Sequence, residues 1–570
     1  MTTTTDLFDR ARSGPPLLLA RSSERTYRVV LFLIVFASCA RVASTYHVFS
    51  ETWDEGLHIA TGLQWLDEGK YTYEIQQPPL SQIATAIGPF LDGRRTVGRP
   101  NYVEEGQAIL YGQGAAIMRT LTLGRIGILP FLVFGIVVVA AWSRHIAGNF
   151  AGLTAAMLFG SEPTVLAHAG LANTDLPCAV TVTGALFAFV LWLEKRTPRQ
   201  TILLGLGVGL ALMTKFSSIP FLGASFPAIA LAWWRWEPKR NERRSADELR
   251  LTTSVGLAAL TVVAITWALY RFSVGTVSIP RFHISLPFIA PELYYGIREV
   301  AHHNSSGHLS YLLGETREAG WWYYFPVALA VKSTIPLLLL ALTGVVASIR
   351  PRVFFPSLAP AVAAVATLGF CLTSHINIGV RHVLPLFGLF AVLGGYAGAI
   401  LLGVARDRFR SPPQRTIALT FVACLLAWQS IASFAAHPDY LAYFNPIAGR
   451  HPDRVLVSSD LDWGQDLLRL RDVAKSRGID SIAIGYFGSA DVRRYGIPGA
   501  HLLQPNVPTM GWIALSEGCY RGLFPCRPGG YGWLDRFTPV QRVGKTFRLY
   551  YVSDADASGA TSAGEGARGD

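Results

Sequence analysis

The sequence has 570 residues, of which 51% are hydrophobic and only 15% are charged, and its mean hydropathy is +0.33. This composition excludes an ordinary soluble enzyme and predicts a polytopic α-helical membrane protein surrounded by membrane lipids. The net charge is +12, but the basic residues lie in short clusters between apolar stretches, as the positive-inside rule expects, which argues against a nucleic-acid partner.

Apolar windows long enough to cross a bilayer recur along the chain and predict about eleven transmembrane helices. The basic clusters alternate sides, which places a tail of residues 1–26 in the cytoplasm and, after an odd number of passes, the C-terminus outside. We therefore expect a transmembrane domain over residues 27–436, with long outer loops at about 50–122 and 273–322. The windows are 27–49, 123–143, 149–168, 176–193, 200–214, 217–234, 252–272, 324–348, 354–373, 383–403 and 416–434.

The first outer loop is too rich in apolar and aromatic side chains to be a solvated tether. Trp65, Tyr71, Phe90 and Leu91 are examples. Side chains of this kind at the end of a membrane span are typical of amphipathic helices that lie on the bilayer surface. We expect such helices in this loop.

After residue 436 the composition changes to that of a soluble α/β module. We expect this small domain, residues 437–553, to be extracytoplasmic. The remaining tail, residues 554–570, is rich in Ala, Gly, Ser and Asp and is expected to be disordered. Within the module the pattern predicts strands at 454–458, 481–487 and 511–516, and a helix at 463–477 that ends before Gly478.

Two adjacent acids follow the first apolar window, in the sequence Glu51-Thr52-Trp53-Asp54-Glu55. Ionised carboxylates at a membrane boundary are costly unless they are paired or take part in chemistry. Asp54 and Glu55 are therefore candidate catalytic residues. The alternative is a solvated helix start, where acids lie near the positive end of the helix dipole.

Further motifs follow the acid pair. They are Gln77-Pro78-Pro79-Leu80, Asn173-Thr174-Asp175-Leu176-Pro177, Leu212-Met213-Thr214-Lys215, Val331-Lys332-Ser333-Thr334-Ile335-Pro336 and Arg381-His382-Val383-Leu384-Pro385. In this order the chain resembles, over about residues 27–440, the protein O-mannosyltransferase superfamily, which includes bacterial lipid A aminoarabinose transferases. The resemblance implies the glycosyltransferase C-type fold and a bacterial cell-envelope enzyme with a polyprenyl-phosphate-sugar donor.

The resemblance also implies roles for the two acids. Asp54 would be the general base that takes the proton of an acceptor hydroxyl, because an alcohol is a poor nucleophile until a positioned carboxylate accepts its proton. Attack at one face of the sugar would invert the anomeric centre. Glu55 would orient a partner group or bind a divalent ion, and a solvated helix position is its alternative.

A polyprenyl phosphate leaving group implies cations near the outer membrane surface. Lys215, Lys332 and Arg381 lie at the outer ends of predicted spans, where the positive-inside rule does not account for them. Arg381 offers a planar fork suited to phosphate. His382 beside it could bond sugar or phosphate, or have a structural role. Snorkelling to the interface is the alternative for the three cations.

Two more motifs are candidates for substrate binding. Asp175 lies at an ordinary helix N-terminus, where capping is the simpler interpretation and substrate contact the alternative. Gln77, Pro78 and Pro79 are expected to shape the wall of the site, because the prolines fix backbone angles and stop a helix.

No cofactor follows with certainty. A divalent cation, Mg²⁺ or Mn²⁺, held by Glu55 and His58 is an open alternative, although two ligands without a third are weak evidence for a metal. Cys519 and Cys526 lie close together in a region expected to face an oxidising compartment, so we predict a disulfide between them, with two free thiols as the alternative.

Together these features predict an inverting hexosyl- or pentosyltransferase, with a mannosyltransferase among the alternatives. It would move a sugar from a polyprenyl monophosphate to a lipid, glycan or protein acceptor on the outer face of the cytoplasmic membrane. The superfamily usually carries His-Pro-Pro-Leu-Gly-Lys where this chain has Gln77-Pro78-Pro79-Leu80-Ser81-Gln82, which weakens the case for a protein acceptor. The rival function is a transporter or flippase of lipid-linked saccharides, but no internal repeat is visible.

Overall fold

The computed structural model of the chain describes residues 23–112, 116–236, 249–279, 284–349, 355–407 and 412–553. The expectations for the N-terminal tail concern residues that lie almost entirely outside these ranges. The expectation of disorder after residue 553 also falls outside the described residues.

Helices make up most of the described residues up to residue 435. Every predicted apolar window overlaps at least one helix, as expected where the backbone must satisfy its own hydrogen bonds in lipid. In chain order the helices are α1 Glu24–Ala43, α2 Glu55–Asp67, α3 Pro79–Leu91, α4 Tyr102–Tyr111, α5 Ile117–Ile126, α6 Leu129–Gly160, α7 Pro163–Ala169, α8 Asp175–Glu194, α9 Pro198–Thr214, α10 Ser218–Trp236, α11 Leu251–Leu269, α12 Pro291–Ser306, α13 Tyr324–Lys332, α14 Ile335–Ser348, α15 Phe355–Cys371, α16 Pro385–Asp407 and α17 Pro412–Ala435.

Helix length decides which of these elements can cross a bilayer unaided. Within the described residues, five helical stretches are long and apolar enough, or six if α13 and α14, which meet at a bend of 118°, form one span. The chain is therefore a multi-pass membrane protein. The figure of about eleven spans stays a prediction, because several of the other helices, such as α15, are apolar but shorter.

The first long loop folds into the three helices α2, α3 and α4. Helix α3 starts at Pro79, where a fixed φ suits the first helical position and no N–H needs a partner. Helices α2 and α3 approach closely at Gly62, where an added Cβ would lie 2.0 Å from the backbone oxygen of Gln82. The predicted helices in this loop are confirmed, and their position on the membrane surface stays a prediction.

The second long loop combines two short hairpins with one helix. Strands β1 Val274–Ile279 and β2 Ile284–Ile289 pair antiparallel, α12 follows, and β3 Ser310–Leu312 pairs antiparallel with β4 Glu315–Arg317.

The C-terminal module contains a mixed five-stranded sheet in the order β6-β5-β7-β9-β8. Strand β5 runs parallel to β6 and β7, whereas β9 runs antiparallel to β7 and β8. Helix α18, Leu467–Ser476, packs its apolar face on the sheet through residues such as Leu470. The strands are β5 Ile482–Gly485, β6 Ala500–Leu502, β7 Gly511–Ser516, β8 Gln541–Val543 and β9 Phe547–Val552.

Two predictions for this module need correction. No strand forms at 454–458, because Leu456 and Val457 are buried in the core shared with the membrane helices instead of pairing in the sheet. Helix α18 starts at Leu467 rather than at residue 463, because the residues before it form turns that reach into the helical domain. The helix ends before Gly478, and strands lie at 482–485 and 511–516, as predicted.

Candidate active site

The predicted polar residues come together where several helices begin or end. Asp54 precedes the first residue of α2, Asp175 is the first residue of α8, and Lys215 follows the last residue of α9. Arg381 lies in a single 3₁₀ turn, Val380–Val383, before α16. Helix ends leave backbone groups unpaired, so this junction can hold a dense group of polar side chains.

Four of these side chains form one ionic network. Arg381 Nη1 lies 2.8 Å from Asp54 Oδ2 and 3.7 Å from Asp175 Oδ2, and Lys215 Nζ lies 2.6 Å from Asp175 Oδ1. The side chain of Asp175 is 1% exposed, whereas that of Asp54 is 23% exposed. The network is balanced in charge and open to solvent mainly through Asp54.

Polar atoms beside this network lack partners. Within the described part of the chain, Asp175 Oδ2, Arg381 Nε and His382 Nε2 are buried without a hydrogen bond. Burial, together with the charges of Lys215 and Arg381, holds the pKa of His382 well below its usual range, so its imidazole is neutral. Buried polar atoms are normally paired. Asp175 Oδ2 is an acceptor, whereas the Arg381 Nε–H and, in the tautomer protonated at Nε2, the His382 N–H are unpaired donors that mark a place where a polar, anionic ligand would fit.

The expected wall of the site touches the network. Thr174, directly before Asp175, donates from Oγ1 to Gln77 Oε1 at 3.5 Å. Pro78 and Pro79 are buried and begin α3 in the expected way. The capping interpretation of this motif has limited support, because Asn173 Oδ1 accepts from the backbone N–H of Asp175 but the N-cap residue, Thr174, makes no side-chain cap bond. It is wrong for the Asp175 carboxylate, which pairs with cations instead.

Glu55 has a different environment from Asp54. Its carboxylate is fully buried and forms two 2.8 Å bonds with Arg125, while the backbone N–H groups of Thr52 and Ala172 donate to it at 2.9 Å. Burial alone would raise the pKa of Glu55, but Arg125 and the backbone donors lower it. The solvated-helix and metal-ligand interpretations of Glu55 are both wrong, because its oxygens are buried and fully used.

His58 also has a protein partner. Its Nδ1 lies 3.1 Å from Glu74 Oε2, and Gln82 Nε2 donates to the same oxygen at 2.7 Å. Across the described ranges, no group of three or more His, Cys, Asp or Glu side chains is arranged to hold a metal ion. The proposed pair of Glu55 and His58 therefore gains no third ligand.

Lys332 is buried rather than exposed to lipid phosphate. Its side chain is 2% exposed, and Nζ donates to the backbone oxygens of Leu441 at 2.7 Å and Asp460 at 2.6 Å. The ring of Phe444 lies 4.3 Å from Nζ. The predictions of phosphate binding and of snorkelling are both wrong for Lys332, because its ammonium group joins α13 to the C-terminal module.

The sequence analysis missed two aromatic residues of the site. The centre of the Trp463 ring lies 4.4 Å from the guanidinium carbon of Arg381. The centre of the buried His168 ring lies 6.1 Å from the centre of the Trp463 ring. A buried histidine before the Asp175 motif was a detectable signal, whereas nothing in the sequence connects Trp463 with Arg381.

The predicted disulfide is confirmed. Cys519 and Cys526 are bonded, with their Cα atoms 5.0 Å apart. The loop that they close carries Phe524, whose ring lies 6.1 Å from that of Trp53. The disulfide loop therefore packs beside the residue that precedes Asp54.

Comparisons with known proteins point in one direction. Residues 120–267, which include Asp175 and Lys215, match the family model of dolichyl-phosphate-mannose-protein mannosyltransferases. The predicted resemblance is confirmed for this segment. Among curated protein sequences, none matches the chain.

Solved structures with a similar arrangement are distant in sequence. ArnT from Cupriavidus metallidurans, bound to undecaprenyl phosphate, is 14% identical, with coverage of 92% of this chain and 98% of ArnT and a TM-score of 0.48. The oligosaccharyltransferase AglB from Archaeoglobus fulgidus, with an inhibitory peptide and a dolichol-phosphate, is 12% identical, with 87% and 70% coverage and a TM-score of 0.48. The S. cerevisiae protein O-mannosyltransferase complex Pmt1-Pmt2, bound to the sugar donor, is 13% identical, with 45% and 33% coverage and a TM-score of 0.31.

Proposed function

We propose that the chain is an inverting glycosyltransferase that moves a sugar from a polyprenyl monophosphate to an acceptor hydroxyl. The observation that carries this proposal is the partly exposed Asp54 carboxylate, held by Arg381 beside unpaired buried donors. The match of residues 120–267 to the mannosyltransferase family model supports the same reaction class. The network supplies both an acid that can accept a proton and cations that can bind a phosphate.

Asp54 is the general base in this proposal. It takes the proton of the acceptor hydroxyl while the oxygen attacks the anomeric carbon from the face opposite the phosphate. The bond from the anomeric carbon to the phosphate oxygen breaks with its electrons on that oxygen, so the sugar is transferred with inversion. A positioned base of this kind contributes about 10²- to 10⁴-fold to the rate.

Arg381 and Lys215 bind the lipid phosphate, and neutral His382 contributes a hydrogen bond. Without donor, Arg381 is paired with Asp54 at 2.8 Å. An incoming phosphate competes for the guanidinium, whose planar fork suits two phosphate oxygens, and this exchange frees the Asp54 carboxylate to act as a base. Asp175 holds both cations in place, since it pairs with Lys215 and lies near Arg381.

The location and acceptor follow from the same proposal. The basic loops put the N-terminus in the cytoplasm and the site with the C-terminal module on the outer face of the plasma membrane. Gln77 stands where the superfamily has histidine, and it contacts Thr174 beside Asp175. We assign the acceptor to lipids or glycans in preference to proteins, and the sugar to a hexose or pentose.

Lipid analysis of a strain that lacks this chain tests the proposal. The deletion is expected to accumulate a polyprenyl-monophosphate sugar, and wild-type protein, but not an Asp54→Asn variant, should remove it. A matched strain that carries an Asp67→Asn variant, altered at the other end of α2, should behave as wild type. Accumulation of a diphosphate-linked oligosaccharide on the inner leaflet would indicate a transporter instead.

A further inference from the structure

A short segment of the C-terminal module lies against Arg381 and against the residue that precedes Asp54. The ring of Trp463 is 4.4 Å from the Arg381 guanidinium carbon, and the Trp463 backbone oxygen accepts from the N–H of Trp53 at 3.2 Å. Trp463 itself is only 3% exposed. One residue therefore touches the cation directly and also holds the residue that precedes the acid.

The turn that carries Arg381 is fixed by the same segment. The N–H of Val380 donates to Asp460 Oδ1 at 3.0 Å, and Ser459 Oγ donates to the backbone oxygen of Ile378. Between these bonds, Gly379 has a φ of +140°, and a Cβ at this position would lie 2.1 Å from Ser459 Oγ. The contact is too close for any residue but glycine.

We infer that Trp463 is a positioning residue, which holds the Arg381 guanidinium where it pairs with Asp54 and where the donor phosphate can take the place of that acid. This inference rests on the proposed function, because it assigns Arg381 to the phosphate. A guanidinium over an aromatic face keeps its N–H edge free for hydrogen bonds, so the ring can fix Arg381 without competing for its donors. The C-terminal module is then part of the active site.

The other contacts of Arg381 do not replace the Trp463 ring as a support for its side chain. The carboxylates of Asp54 and Asp175 lie 2.8 Å and 3.7 Å from Arg381 Nη1, and Arg381 Nε has no hydrogen-bond partner among the described residues. Loss of the ring would let the side chain move toward Asp175. Phosphate binding would weaken even though every charge in the network is still present.

Binding of undecaprenyl phosphate to the purified full chain in nanodiscs tests this inference. Trp463→Leu is expected to raise the Kd about tenfold, which lies between the sizes of an exposed and of a desolvated cation–π contact. Trp463→Phe, which keeps an aromatic face, should stay within about threefold of wild type. The Trp463→Leu effect should disappear in an Arg381→Ala background and persist in a Lys215→Ala background, because Lys215 does not touch the ring.

Three results would overturn the inference. They are a wild-type Kd for Trp463→Leu, equal losses for the Leu and Phe variants, or an effect of the same size when Arg381 is already alanine. If wild type itself does not bind the lipid above a neutral-lipid control, the proposed function fails. A double-mutant cycle of Trp463→Leu and Arg381→Ala, measured by thermal unfolding, then tests the contact between the two residues by itself. Additive effects on the free energy of unfolding overturn the inference, and coupled effects sustain it.

Discussion

The region around Asp54 and the region around Glu55 differ sharply, although the two acids are adjacent in sequence. Asp54 is 23% exposed and has one cation at hydrogen-bond distance, in a network with unpaired donors nearby. Glu55 is fully buried, paired in two bonds with Arg125, and bonded by two backbone N–H groups. One environment leaves room for an incoming ligand, and the other leaves none.

This difference shows what separates a reactive acid from a structural one. It is the exposure of the carboxylate and the presence of unpaired hydrogen-bonding atoms around it, rather than its charge. Glu51, in the same short segment, is a third case. It is buried, it forms no ion pair with the described residues, and Tyr111 donates to its carboxyl group. Burial raises the pKa of Glu51 to about 8. Three acids within five positions therefore have three different environments.

Asp54→Asn tests the reactive side of the comparison and has the largest expected effect. Amide for carboxylate keeps the shape but removes the base, so turnover should fall by about 10²- to 10⁴-fold. Thermal unfolding should stay near wild type, and donor binding should not weaken, because the amide no longer competes with the phosphate for Arg381. The measurement is sugar transfer in nanodiscs with an accumulated donor, and Asp67→Asn on the same helix is the control. Turnover within a few fold of wild type would remove Asp54 from the general-base role.

Arg125→Met tests the structural side. It leaves the Glu55 carboxylate buried without a counter-charge, which typically costs about 3–5 kcal/mol. Unfolding in detergent should show this loss, and the double variant Glu55→Gln with Arg125→Met should recover part of it because no buried charge remains. If the single variant is as stable as wild type, the pair is not the buried structural ion pair described above.

Glu51→Gln sharpens the comparison through its pH dependence. The pKa of Glu51 is higher in the folded chain than in the unfolded chain, so its contribution to stability is fully present below about pH 4.5 and is lost as the pH rises to about 8. The variant cannot ionise. Its stability relative to wild type should therefore rise between pH 5 and pH 8, by an amount on the order of a few kcal/mol.

Unfolding midpoints at pH 5 and pH 8 measure this difference. Glu104→Gln, an exposed acid in the neighbouring helix α4, is the matched control and should show little change with pH. A stability difference between Glu51→Gln and wild type that is constant across this range would show that Glu51 is ionised in the folded protein.

Lys215→Gln has the smallest expected effect. Loss of the Lys215 ammonium group leaves one cation for the donor phosphate. It also frees Asp175 to draw Arg381 away from Asp54. The Kd for undecaprenyl phosphate should rise about tenfold, equal to about 1.4 kcal/mol, with little change in turnover at saturating donor. Lys475→Gln, on the exposed side of α18, serves as the control. A larger change in turnover than in binding would assign Lys215 to the transition state.

The sequence predicted the members of the ionic network but not the residues that hold them in place. Asp54, Asp175, Lys215 and Arg381 were identifiable because charged residues at the ends of membrane helices are costly and need a reason. Lys332 carried the same signal and was misassigned, since a cation at a helix end looks the same whether its partner is a phosphate or a distant carbonyl. Only the folded chain distinguishes the two.

The residues that hold the network in place could not be predicted, because they join distant parts of the chain. Leu456 and Val457 have the pattern of a strand, yet they bury their side chains in the membrane-domain core. Trp463 lies in a turn, although the sequence pattern predicts that a helix begins at this residue. Its contact with Arg381 depends on how the C-terminal module docks, and no local propensity specifies that docking.

The insertion of Trp463 beneath Arg381 has a consequence for biosynthesis. Asp54 and Arg381 are 327 positions apart, and Trp463 is translated after both of them and after the last membrane helix. A nascent chain can therefore insert its helices into the bilayer while the guanidinium is still unsupported. The ribosome must complete the soluble module before the site is assembled, so truncated translation products should be incompetent at sugar transfer even when every membrane helix is in place.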